Sequence, residues 1–126
     1  MLTNGLADKK VLVVEDVLDN QILTKLYLVR KGMEVQFAQN GAEGVQKALD
    51  QDFDLILMDV VMPGKNGFQL ARTINRDPLY ANVPIIFCSS KDQETDRLWG
   101  MRQGAKDYIT KPFNSDELIA KIRAQG

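Results

Sequence analysis

Three carboxylates and a hydroxyl close apolar runs in this chain, a lysine follows a short mixed run, and together they could handle phosphate. Glu15 and Asp16 close Val11-Leu12-Val13-Val14, and Asp59 closes Leu55-Ile56-Leu57-Met58. Ser89 closes Ile85-Ile86-Phe87-Cys88, and Lys111 follows Asp107-Tyr108-Ile109-Thr110. Carboxylates crowded at one place repel one another, and a divalent cation is the usual remedy; oxygen ligands plus water suit Mg²⁺, which keeps much of its hydration. Beside such an ion a lysine offsets the charge of a transferring phosphoryl group. A hydroxyl donates to one of its oxygens, and a carboxylate can attack phosphorus. Singly, each residue is ordinary: Asp59 would cap a strand and Lys111 would be a solvated surface lysine. Their value depends on a fold that brings them together.

The elements needed for that are readable. The three continuous apolar runs suit strands covered on both faces. Glu34-Val35-Gln36-Phe37-Ala38 alternates and Asp107-Tyr108-Ile109-Thr110 is short and mixed, so both read as sheet edges. A first helix, about Leu18 to Lys31, carries Ile22, Leu26 and Val29 at helical spacing and stops at Gly32. A second opens at Asn40 with Glu43 three residues on, a capping-box pattern. A third covers roughly Gly67 to Asn75, and a fourth Asp92 to Gln103 before Gly104. The fifth begins at Asn114 with Glu117 three on, and turns Leu118, Ile119 and Ile122 inward. Five strands alternating with five helices predict an α/β, doubly wound, flavodoxin-like (βα)5 sandwich with parallel sheet order 2-1-3-4-5. Ligands of such sheets bind beyond the carboxyl ends of the strands, where strands 1 and 3 part. All five residues fall at that mouth.

The composition narrows the partners. With 126 residues the chain suits one domain, 1–126, and 44% hydrophobic and 26% charged residues are ordinary for a soluble globular protein. Net charge is −1, with no basic run to neutralise a row of phosphates, so direct nucleic-acid binding is not expected. No apolar run approaches a membrane span and Met1 to Asp8 lacks a secretory layout, which predicts a cytoplasmic protein with no membrane contact. The lone Cys88 suits a reducing compartment and buried packing. There is no histidine, so any phosphohistidine must come from another protein.

Several stretches together resemble the receiver (CheY-like) family of response regulators over about Lys10 to Ala124. They are Val13-Val14-Glu15-Asp16, Leu57 to Gly64 with Gly67, Ser89-Ser90, and Gly104 to Phe113. The resemblance implies Asp59 as phosphoacceptor, with Lys111 and Ser89 as its catalytic neighbours. It implies Asp16 as direct Mg²⁺ ligand, Glu15 as its partner through water, and the backbone carbonyl of Val61 as a further ligand. Ser89 stands 22 residues before Lys111, as in the family, and is preferred to Ser90. Ser89 and Tyr108 become the switch pair: the hydroxyl swings to the phosphoryl group and the ring moves inward behind it. A cis Lys111-Pro112 bond is implied as well. Asn20 and Asn66 are expected in loops facing the mouth. Val61 and Lys91 take the positions that govern water access; valine cannot orient a water and lysine can shield the phosphoryl group, which predicts a long-lived phosphorylated form.

The implied partners are a histidine kinase and a downstream protein target, the latter met through the fourth helix, fifth strand and fifth helix, by a monomer or weak dimer. Catalysis is limited to the chain's own phosphorylation and dephosphorylation. Trp99 reads as rim packing on the fourth helix rather than a docking anchor. Three rivals remain. A haloacid dehalogenase-like phosphatase typically has a second Asp two residues after the nucleophile, where this chain has Val61. A flavin mononucleotide carrier needs a hydroxyl- or glycine-rich loop where Glu15-Asp16 stand. A receiver used only for docking, without phosphorylation, would not need the full acidic and lysine set. The stretch Ser90 to Ala105 resembles stand-alone receivers of chemosensory systems controlling type IV pili, which suggests chemotaxis and motility. The front half looks equally like receivers attached to hybrid histidine kinases.

Overall fold

In a computed structural model of the protein, residues 6–59, 76, 83–89, 102, 106–111 and 113–125 are described; at Ser89 only the backbone is. Strands β1 (Lys10–Val14), β2 (Glu34–Ala38), β3 (Leu55–Asp59), β4 (Ile85–Ser89) and β5 (Asp107–Thr110) form one parallel sheet in the order β2-β1-β3-β4-β5. Its register sets Val14 beside Met58 and Asp59 beside Cys88. Helices α1 (Leu18–Val29), α2 (Gly41–Asp50) and α3 (Ser115–Arg123) follow β1, β2 and β5. The expected third helix lies outside the described residues, as does the fourth apart from Arg102, which is helical.

Side chains alternate across a strand, and here both faces are covered. Leu12, Val14, Ile56, Met58, Ile85, Phe87 and Tyr108 pack into one layer with Ala48 of α2 and Phe53. Val11, Val13, Leu55, Leu57, Ile86, Cys88 and Ile109 pack into the other with Leu28 of α1 and Leu118, Ile119 and Ile122 of α3. Each fully buried aliphatic or aromatic side chain stabilises the fold by about 1.5–3 kcal/mol. The central strands, buried on both faces, are therefore the anchor of the sheet. The fold is flavodoxin-like, with the predicted strand order.

Helix ends follow the sequence signals. Asn40 accepts from the Glu43 N–H at 2.9 Å, and Asn114 from the Glu117 N–H at 2.8 Å. The return bond of the first cap differs from the simple box: the Glu43 carboxylate takes the N–H of Gln39, not of Asn40. Gly32 has φ +85°, the left-handed conformation that glycine adopts without a Cβ penalty, and it turns the chain from α1 into β2.

Two expectations change. The apolar face of α1 at Ile22, Leu26 and Val29 is not its core face: Ile22 is 58% exposed, and α1 buries Gln21, Thr24 and Leu28 instead. Two rows spaced at three and four lie on adjoining faces of this helix, and packing chose the one holding Leu28. Asn20 lies within the first turn of α1 rather than in a loop, because the helix starts at Leu18.

Candidate functional site

The carboxyl ends of β1, β3 and β5 carry the acidic and basic groups into one place. The Glu15 N–H bonds the Ala38 carbonyl at 2.9 Å, continuing the β1–β2 ladder by one residue before the chain turns at Asp16. The Gln21 side chain of α1 donates to the Glu15 carbonyl at 2.6 Å, and Glu15 Oε2 accepts the Val17 N–H at 3.3 Å. The turn between β1 and α1 is thus bonded to β2 on one side and to α1 on the other. Asp59, the last residue of β3, is held by strand pairing, with its backbone beside Cys88.

Glu15, Asp16 and Asp59 each offer a carboxylate oxygen, and these oxygens lie within 4.8 Å of one another. Glu15 is buried, Asp59 partly buried and Asp16 exposed, so the cluster opens to solvent on the Asp16 side. Three anionic oxygen donors this close fit a hard divalent cation of the Mg²⁺ or Ca²⁺ type. Lys111 reaches the cluster from β5: its Nζ is 2.5 Å from Glu15 Oε1 and 3.4 Å from Asp59 Oδ2. Burial of the ammonium opposes its charge and is the largest single influence. The hydrogen bond to Glu15, with the charges of Asp59 and Glu15, outweighs it and holds Lys111 above the usual lysine range.

Glu15, Asp59 and Lys111 also border a small depression, partly open to solvent, whose lining is completed by Val13, Val14, Thr24, Leu57, Cys88 and Phe113. Cys88 forms part of its floor. Burial, aided by Asp59 and Glu15 and opposed by Lys111, pushes the thiol up to about 12. Cys88 is thus a neutral packing group, not a nucleophile.

Of the residues singled out in the sequence, Glu15, Asp16, Asp59 and Lys111 are brought together. The backbone of Ser89 ends β4 next to Thr110 of β5; its hydroxyl lies outside the described residues. So do Val61, Lys91, Asn66, Ser90, Trp99 and the Lys111-Pro112 bond. Tyr108, the expected switch partner of Ser89 on edge strand β5, is 5% exposed and sits within the core layer that holds Phe87 and Met58. Two features escaped the sequence reading. Gln21 bonds the acidic turn, and Glu15 pairs more closely with Lys111 than Asp59 does. A polar residue one turn into the helix after an acidic pair is the only signal that pointed to the first.

Residues 11–123 match the family model of the response regulator receiver domain. The chain belongs to the response regulator receiver family. This receiver is 42% identical to Protein PilH of Pseudomonas aeruginosa over 115 residues, covering 91% of this chain and 95% of that protein. It is 36% identical to the transcriptional regulatory protein ResD of Bacillus subtilis, covering 93% of this chain and 48% of that longer regulator. Among solved structures, chemotaxis protein CheY4 of Vibrio cholerae superposes with a TM-score of 0.90 at 29% identity, covering 95% of this chain and 100% of that one. A CheY-like receiver domain protein from Methanospirillum hungatei gives 0.86 at 28% identity, covering 94% of each chain. The receiver acts as a phosphoacceptor in two-component signalling, and the phosphatase and docking-only readings are not favoured. No helix among the described residues is long and apolar enough to cross a membrane.

Proposed function

We propose that Asp59 takes a phosphoryl group from the phosphohistidine of a partner histidine kinase. The observation that carries this reading is the convergence of Glu15, Asp16, Asp59 and Lys111 at the carboxyl ends of parallel strands. A carboxylate oxygen of Asp59 forms the new O–P bond while the N–P bond of the donor breaks. The imidazole leaves with the electron pair and regains a proton. Asp16, Asp59 and the Val61 carbonyl would hold Mg²⁺, with Glu15 behind them; bound there, the ion neutralises charge developing on the phosphoryl oxygens. Lys111, kept protonated by Glu15 and Asp59, moves its charge to the phosphoryl group, and Ser89 donates to one of its oxygens. Ser89 and Tyr108 then shift the fourth helix, β5 and α3, the surface offered to a downstream protein target. Val61 and Lys91 limit water attack and lengthen the life of the acyl phosphate.

The donor protein would dock on α1. Val17 and Leu18 follow Asp16 directly, and Leu18, Ile22, Leu26 and Val29 continue as an exposed apolar row leading away from the acidic mouth. A partner seated on that row brings its phosphohistidine within reach of Asp59. The receiver, read as one cytoplasmic domain, would serve a motility pathway. Supporting this are the likeness of Ser90 to Ala105 to chemosensory receivers and the similarity to PilH and to a chemotaxis protein.

Incubation with Mg²⁺ and acetyl phosphate, followed by mass spectrometry, tests the central assignment. One phosphoryl group on the wild type, absent from Asp59→Asn, is the expected result. Undiminished labelling of Asp59→Asn overturns it.

A further inference from the structure

Gln21 is the larger of two polar side chains, with Thr24, on the buried side of α1. Its neighbours on that side include Leu28, fully buried in the core, and an amide placed there carries a desolvation cost unless it is bonded. The bond it makes is to the Glu15 carbonyl, at 2.6 Å, in a buried setting. That carbonyl belongs to the peptide unit joining Glu15 to Asp16. The unit is planar, so fixing its oxygen also fixes the direction in which Asp16 departs. Among the described residues, the other hydrogen bonds of residue 15 act elsewhere: its N–H is tied to Ala38, and its carboxylate to Val17 and Lys111.

We propose that Gln21 is a positioning residue for the cation site, its buried amide setting the peptide plane that presents the Glu15 and Asp16 carboxylates toward Asp59. The inference rests on the reading of those carboxylates as Mg²⁺ ligands. It adds an outer partner that touches neither the ion nor the phosphoryl group. Groups that orient metal ligands from behind commonly change metal affinity by 10–100-fold when removed.

Calorimetric titration of the metal-free protein with Mg²⁺ tests it, alongside thermal unfolding in a chelator. Gln21→Met keeps the length of the side chain and removes its donor; Mg²⁺ binding should weaken by about tenfold. Leu28→Ala, on the same buried side with no bond to the turn, should unfold at a lower temperature yet keep the wild-type Mg²⁺ affinity. The proposal is overturned if Gln21→Met binds Mg²⁺ like the wild type, or if Leu28→Ala weakens binding equally. Should Gln21→Met fail to fold, Gln21→Asn, which withdraws the amide by one methylene, is held to the same outcomes. A wild type that binds no Mg²⁺ sinks the reading of the site itself, a result separable from a failure of Gln21 alone.

Discussion

Lys111 keeps its proton in surroundings that, by burial alone, would favour losing it. The Glu15 carboxylate reverses that balance, so Glu15→Gln should bring the Lys111 pKa down, readable from the pH dependence of its side-chain NMR shifts. An unchanged value would mean that Asp59 alone holds the charge. Cys88 gives a second check at this scale. With the thiol pushed up to about 12, the native protein should react slowly with a thiol reagent at pH 8, and quickly once unfolded in urea. Among single residues the sequence disclosed the acidic set and Lys111, because each ends or follows a strand-like run. It did not disclose that Glu15 would be the lysine's nearer partner. That depends on the reach of one extra methylene across the sheet, which spacing along the chain cannot convey.

Among the elements, the caps and strands were the most legible parts and α1 the least. Asn40 and Asn114 each take an N–H of the first turn, so Asn40→Ala or Asn114→Ala should cost about 1 kcal/mol in denaturant unfolding. Continuous apolar runs identified β1, β3 and β4 because strands covered on both sides leave no polar alternation to misread. The orientation of α1 was hidden for the opposite reason. Its exposed row of Leu18, Ile22, Leu26 and Val29 is more hydrophobic than its buried set of Gln21, Thr24 and Leu28. Ile22→Asp should therefore leave thermal stability nearly unchanged and slow transfer from the kinase, while labelling by acetyl phosphate proceeds as before. Equal loss with both donors would remove α1 from the docking surface.

For the molecule as a whole, the strand order followed from which runs were apolar, and the order placed the mouth. Alkaline stability joins the site to the fold. Between the ordinary thiol value of 9.0 and about 12, unfolded chains release the Cys88 proton that folded chains keep, so stability falls as pH rises. Lys111 acts with the same sign: its contribution is intact below the ordinary 10.5 and is lost as pH climbs through its raised folded value. The urea midpoint should drop across this window, and Cys88→Ser should flatten part of the decline.

The two sides of α1 divide its duties. Gln21 and Leu28 answer to the interior, whereas Leu18, Ile22 and Leu26 face solvent, where the proposed kinase contact would form. Substitutions on the outer row can accumulate with little consequence for folding. A duplicated copy of such a gene could then acquire a different kinase in a few steps, insulated from its parent pathway, with its phosphate chemistry intact.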